Sequence, residues 1–301
     1  MNALRKRLTS GGPLAERTRL GLVRAADAAG RLTASHRALP ALLVAGGQRC
    51  GTTSMYQALR QQPTIVRPAG RKGVHYFDVA YAGHDLDWYR AHFPLQAHLD
   101  LRARRWSTTA LTFESSPYYL FHPRALERIA ADLPGVKLLV LVRDPVERAY
   151  SAHAHEYARG YETLSFAEAL EQEESRLAGE VERMLEDPAY ESHAHRHQAY
   201  RTRGAYAGQL ERAAALLGRD RVHVVDSHRF FTEPEPVFEE VLGFLGVAAR
   251  VPTVFERHNA RPRSPIDEGL ARELREYYLP FDTALEPWLG GPPSWREGPA
   301  S

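Results

Sequence analysis

Leu42-Leu43-Val44-Ala45-Gly46-Gly47-Gln48-Arg49-Cys50-Gly51-Thr52-Thr53-Ser54-Met55-Tyr56-Gln57-Ala58-Leu59 is the stretch that decides the fold. Its apolar opening reads as a strand, its glycines and small hydroxyl residues as a tight loop, and its amphipathic close as a helix. The backbone N–H groups of such a loop, with the positive end of the following helix, face an anion. The stretch is a phosphate cradle in outline. Gly46 and Gly51 fit the spacing of G-x-x-x-x-G-K-[ST], but Thr52 stands where that motif has lysine, and the basic group in the loop is Arg49.

Working outward, Gln62-Pro63 ends the helix and Thr64-Ile65-Val66 reads as a second strand, which completes a βαβ unit. Residues 109–114 read as a third strand, 136–142 as a fourth and 221–226 as a fifth. The fourth, Val136-Lys137-Leu138-Leu139-Val140-Leu141-Val142, is a near-continuous apolar run, as suits a central parallel strand covered on both faces. Helical character lies between these strands, at 87–94, 123–132, 166–187, 205–217 and 234–246. The expected fold is α/β, a three-layer P-loop-like architecture with a central, mainly parallel sheet of about five strands flanked by helices. Histidines 193, 195 and 197 alternate, a spacing that suits a metal only on an extended segment, and they read as surface polar residues; no metal site is expected.

Composition places the chain among ordinary globular proteins: 301 residues, net charge +2, 44% apolar and 25% charged. That balance excludes a nucleic-acid binder and a disordered chain. Residues 1–40 are the exception, with eight basic residues against Glu16 and Asp27. They read either as a membrane-surface or partner-binding arm or as a solvated tail. The expected organisation is a basic helical arm over 1–40, one domain over 41–290 and a flexible tail over 291–301. No apolar run reaches the roughly 18 residues of a membrane span, and no signal-type core follows the basic start, so a cytoplasmic location is expected. The single cysteine, Cys50, leaves no internal disulfide and reads as a small loop residue rather than a nucleophile. With only Lys6, Lys72 and Lys137 in the chain, Lys72 in Arg71-Lys72-Gly73-Val74-His75-Tyr76-Phe77-Asp78 carries weight as a functional residue.

The fourth strand delivers Arg143-Asp144-Pro145 and then Arg148 and Ser151. An arginine and a serine eight residues apart, with a proline turning the chain between them, converge on one phosphate. Two anion loops in one α/β unit point to a doubly phosphorylated nucleotide.

These motifs resemble those of the sulfotransferases that use 3′-phosphoadenosine 5′-phosphosulfate (PAPS). Gln48-Arg49-Cys50-Gly51-Thr52-Thr53 is similar to the family's 5′-phosphosulfate loop, and Val142-Arg143-Asp144-Pro145 through Ser151 to its 3′-phosphate site. Lys72 to Asp78, Asp87-Trp88-Tyr89, Arg203-Gly204-Ala205-Tyr206 and His258-Asn259-Ala260-Arg261-Pro262-Arg263 resemble the branch of heparan sulfate sulfotransferases and their bacterial relatives. The resemblance implies that Arg49, Cys50, Gly51, Thr52, Thr53 and Ser54 form the 5′-phosphosulfate loop. It implies that Arg143 and Ser151 hold the 3′-phosphate, that Tyr206 lies near the nucleotide, and that Arg261 or Arg263 closes over it.

Two departures stand out. Arg49 replaces the usual lysine, trading a point contact for a planar fork. Gly73 stands where the branch often has a glutamate that serves as general base. His75 is then the candidate base, since imidazole titrates near neutral pH, with Glu114 in reserve and Lys72 assigned to the sulfonate or bridging oxygen. The implied activity is in-line sulfuryl transfer from PAPS to a hydroxyl or amine of a small-molecule or carbohydrate acceptor, with residues 79–108 and 152–200 walling the acceptor cleft. A P-loop kinase or nucleotide triphosphatase and a catalytically inactive nucleotide-binding protein are the alternatives.

Overall fold

The computed structural model describes residues 30–258 and 264–296. Five strands form one sheet: β1 (Leu42–Gly46), β2 (Ile65–Val66), β3 (Leu111–Ser115), β4 (Lys137–Val142) and β5 (Val222–Asp226). Their order is β2-β3-β1-β4-β5, and every neighbouring pair is parallel. Every residue of β1 is buried, and in β4 only Lys137 is less than buried. Such strands pack apolar side chains against helices on both faces, which is why they read as unbroken hydrophobic runs. The sheet is thus the five-stranded parallel α/β arrangement that the strand pattern predicts.

The helices, in chain order, are α1 (Thr52–Leu59), α2 (Leu86–Arg90), α3 (Gln96–Trp106), α4 (Ala125–Asp132), α5 (Pro145–Tyr157) and α6 (Phe166–Glu171). They continue with α7 (Glu173–Leu177), α8 (Glu180–Glu186), α9 (Tyr206–Leu217), α10 (Ser227–Thr232), α11 (Pro234–Leu245) and α12 (Glu268–Leu289). Strand order reverses between β1 and β4: β2 and β3 lie on one side of β1, β4 and β5 on the other. In open parallel sheets the crevice at such a reversal, beyond the carboxyl ends of the strands, is where ligands bind. The loops after β1 and β4 are the two that carry the anion motifs.

Several segments differ from the sequence reading. The surface helix expected over 166–187 is three short helices, broken at Gln172 and at Gly179, whose φ of 73° is a left-handed turn that glycine adopts freely. The histidines, read as surface polar residues, do not all lie at the surface, because the stretch coils as a π-turn over Ala194–Gln198. His195 is buried against the Tyr118 and Phe121 rings, while His193 and His197 pack beside Tyr161.

Most of the basic arm, residues 1–29, lies outside the described residues. Its end is docked: Ala34 is buried, and Arg37 Nη1 donates to Phe93 O at 2.5 Å. Residues 291–296 also pack back onto the domain. Ser294 N donates to Asp226 Oδ2 at 3.1 Å, and Arg296 Nε donates to Asp282 Oδ2 at 2.5 Å. These side-chain bonds hold a segment whose glycine and proline content reads as a loose tail. Among the described residues, no helix is long and apolar enough to cross a membrane.

Candidate active site

The loop after β1 is tied to the end of β4, because Gly47 N donates to Leu141 O at 2.7 Å. It closes at Gly51, which has φ 86° and whose missing Cβ would stand 3.1 Å from the Phe231 ring. The positive φ favours glycine there, and any side chain would also press on that ring. Helix α1 starts at the next residue, so its first N–H groups, which lack intrahelical acceptors, open onto the loop's concave side.

Asp144 caps α5, its Oδ1 accepting from Val146 N at 2.9 Å, and Pro145 sits in the first turn, as helix starts favour. The cap turns the chain so that Arg143 and Ser151 flank the same opening. Arg49 Nε donates to Ser151 Oγ at 3.2 Å, joining the two anion motifs. Arg143 Nη2 meets Glu147 Oε2 at 3.1 Å, a part-exposed pair that spans the start of α5.

A cleft of about 710 Å³ opens here, lined by Arg49, Gly51, Thr52, Thr53, Lys72, Arg143 and Ser151 among others. Four lining side chains are cationic (Arg49, Lys72, Arg143, Arg257) and two anionic (Asp144, Glu147), so the cleft favours an anion. Lys72 Nζ donates to Thr53 Oγ1 at 3.1 Å and to Thr52 Oγ1 at 3.4 Å, which brings this loop to the start of α1. Burial draws the Lys72 ammonium down to a pKa of about 8.

Gly73 has a steric explanation: a Cβ there would lie 2.5 Å from Ser115 O and 2.6 Å from Ser116 Oγ. Two residues on, His75 adopts φ 57°, and its Nδ1 lies 2.8 Å from Asp78 Oδ2. The His75 side chain is 41% exposed whereas that of Asp78 is 0% exposed. Burial disfavours the imidazolium, but the hydrogen bond and charge of Asp78, with Glu114 behind, outweigh it and raise the His75 pKa above its usual 6.5. His75 does not line the 710 Å³ cleft itself; its loop reaches the cleft through Lys72.

Glu114 is fully buried. Its Oε2 accepts from Val74 N at 2.6 Å and its Oε1 from Tyr89 OH at 3.2 Å, so it bolts the 72–78 loop to β3 from beneath. Burial raises its carboxyl pKa to about 7. Cys50 is buried too, its Sγ 3.5 Å from Tyr206 OH, and burial pushes the thiol pKa up. Tyr206, 2% exposed, donates to Arg143 O at 2.9 Å and so braces the second anion loop rather than facing the cleft. Ser54 is turned away as well: its Oγ accepts from His258 N at 3.0 Å. Arg261 and Arg263 lie outside the described residues. Of the stretches expected to wall an acceptor cleft, 152–200 contributes Ala154 and His155 to this opening, and 79–108 contributes none of its described lining.

Sequence reasoning missed the far wall, formed by Ser227, His228, Phe231, Arg257, Ser294 and Trp295. Their one sequence signal is that 227–231 follows β5, the parallel neighbour of β4. It also missed Asp78 as the partner of His75, a pairing that depends on the left-handed turn at His75.

A parallel sheet with an anion loop at its reversal point and an arginine–hydroxyl pair beside it defines a P-loop-like α/β protein built to hold an anionic ligand. Residues 39–261 match the sulfotransferase domain family, and the chain belongs to that family. The human bifunctional heparan sulfate N-deacetylase/N-sulfotransferase 3 is 28% identical over 271 residues, 83% of this chain. The chain spans only 28% of that protein's length. The human heparan sulfate glucosamine 3-O-sulfotransferase 5 is 24% identical over 282 residues, 85% of this chain and 74% of the relative. Among solved structures, a sulfotransferase from Alicyclobacillus acidocaldarius aligns with a TM-score of 0.64 and 28% identity, covering 86% of this chain and 100% of that one. Family membership sets aside the kinase and triphosphatase readings.

Proposed function

We propose that the chain transfers a sulfuryl group from PAPS to a hydroxyl or amine of a carbohydrate or glycolipid acceptor. The observation that carries this reading is the 3.2 Å contact between Arg49 and Ser151, which makes two anion loops into one two-ended grip. The residues suit PAPS in charge and shape. Arg49, Lys72, Thr52, Thr53 and the start of α1 would hold the 5′-phosphosulfate, and Arg143 with Ser151 the 3′-phosphate. Phe231 and Trp295 would flank the base. Bound there, PAPS supplies an activated sulfuryl group joined to phosphate through a bridging oxygen.

The remaining chemistry belongs to side chains. In neutral His75, Nδ1–H donates to Asp78 and Nε2 is left without a proton, able to take one from the acceptor's O–H or N–H as its bond to sulfur forms. Lys72 neutralises the charge that develops on the bridging oxygen as its bond to sulfur breaks. Glu114 holds the loop from below and takes no proton from the acceptor.

Isothermal titration with adenosine 3′,5′-bisphosphate tests the donor half: binding at micromolar concentration supports it, and no binding up to high micromolar sinks it. Transfer of label from PAPS across a panel of hydroxyl and amine acceptors tests the reaction. Nucleotide binding with no transfer to any acceptor would leave the inactive-binder reading standing.

A further inference from the structure

Arg203 is 4% exposed, and its hydrogen bonds run to neutral oxygens on two separate segments. Nη1 donates to the Gln48 side-chain oxygen, and Nη2 donates to His195 O at 2.6 Å and Arg196 O at 3.0 Å. Its guanidinium also lies 4.6 Å from the Phe121 ring centroid and 5.2 Å from that of Tyr118. Burial lowers its pKa to about 10, which keeps it charged at neutral pH. Burying a guanidinium is costly, and a planar fork of five donors recovers that cost only where several acceptors are held in place.

The two segments it joins are far apart in the chain, and only the first lines the cleft. Gln48 stands in the loop between β1 and α1 and lines the cleft. The Ala194–Gln198 turn carries Arg196, whose charge acts on His75, and His195, whose Nδ1 lies 2.8 Å from Tyr118 OH.

We propose that Arg203 is a positioning residue: its guanidinium ties Gln48 of the anion loop to the Ala194–Gln198 turn, so occupancy of the loop sets the geometry of that turn. Linkage makes the coupling reciprocal, so a ligand that seats against the turn tightens the loop's hold on its anion by the same factor. Lysine offers a point charge that cannot span both segments.

Hydrogen–deuterium exchange over residues 193–199 and 47–51 tests the tie without any ligand. Arg203→Met and Arg203→Lys should both speed exchange at 193–199 at least tenfold over wild type. Gln48→Ala, a change on the cleft wall, should do the same at 193–199, far along the chain from the substitution. If Gln48→Ala leaves exchange at 193–199 at the wild-type rate, the tie is overturned, whether or not the Arg203 variants fold. The second readout rests on the donor reading above: saturating adenosine 3′,5′-bisphosphate should slow exchange at 193–199 in wild type and fail to do so in Gln48→Ala. A wild-type protein that binds the nucleotide without slowing at 193–199 overturns the occupancy coupling. One that binds no nucleotide overturns the donor reading instead, and the ligand-free exchange result then decides the tie.

Discussion

Arg49 and Ser151 stand 102 residues apart in sequence and 3.2 Å apart in space. One belongs to the loop after β1 and the other to α5, and parallel pairing of β1 with β4 is what brings them together. A hydroxyl already bonded to a guanidinium presents its remaining lone pair and proton in a fixed direction, so the two side chains meet the two phosphate ends of one ligand as a coupled pair. Arg49→Ala should weaken binding of adenosine 3′,5′-bisphosphate at least tenfold, since hydrogen bonds to charged groups contribute about 1.5–3 kcal/mol. Ser151→Ala should cost about 0.5–1.5 kcal/mol. Because the pair is in contact, the double variant should lose less than the sum of the two. Titration calorimetry on the four proteins checks this, and strict additivity would show that the two loops bind independently.

The pH profile identifies the base. A general base works in its neutral form, so kcat/KM should rise with pH to a plateau above the pKa of His75, which Asp78 holds above 6.5, and fall again above about pH 8 as Lys72 loses its charge. Asp78→Asn keeps an acceptor for Nδ1–H but removes the charge that helps raise this pKa, so the rising limb should move to lower pH while the plateau rate falls. His75→Ala should abolish the limb and lower the plateau about 10²–10⁴-fold, the usual contribution of a positioned base. An unchanged limb in His75→Ala would move the role to another group.

How far these features were legible in the sequence depends on how local their causes are. β1 and β4 could be read because burial on both faces writes an unbroken apolar run into the chain. Helix α12 could not, since Pro280 and Pro287 lie inside it and proline reads as a terminator, yet Ala271, Leu274, Tyr278 and Leu285 bury one face and override that signal. Helix α3 was hidden for the opposite reason, having only Leu99 buried. Within the site, Arg49 and Arg143 sit on loops that directly follow β1 and β4, Lys72 lies further along the chain after β2, Ser151 lies inside α5, and motif spacing in the sequence picks out all four. Phe231 and Trp295 reach the same cleft through β5 pairing and a chain end folded onto Asp226, which no local pattern encodes.

Glu114 should appear in stability rather than in turnover. Its carboxyl has a pKa of about 7 in the fold against 4.5 when exposed, so the folded state holds a proton that the unfolded chain has released. The sign follows: stability is greatest below pH 4.5, falls as pH rises from there to about 7, and is flat in this respect above. Glu114→Gln keeps an acceptor for Val74 N but carries no charge, so it should remove that decline, worth on the order of 3 kcal/mol. Urea unfolding at pH 5, 6 and 7 reads the effect, and kcat for the variant should stay within severalfold of wild type. A loss of about 10³ in kcat with the pH profile flattened would instead make Glu114 the base.

Gly73 separates a steric from a chemical account of the missing glutamate. With its absent Cβ directed at Ser115 O, at 2.5 Å, any side chain must displace the end of β3 or the 72–78 loop. Gly73→Ala should therefore destabilise the protein by about 1–3 kcal/mol, the usual cost of overpacking. Gly73→Glu should be worse folded and no more active, because the displacement also moves His75 and Lys72, one on each side of it. Thermal unfolding gives the stability and labelled PAPS the activity. If Gly73→Glu folds as well as wild type and turns over faster, or rescues His75→Ala, then the loop has room for a carboxylate and the His75–Asp78 pair is not the base.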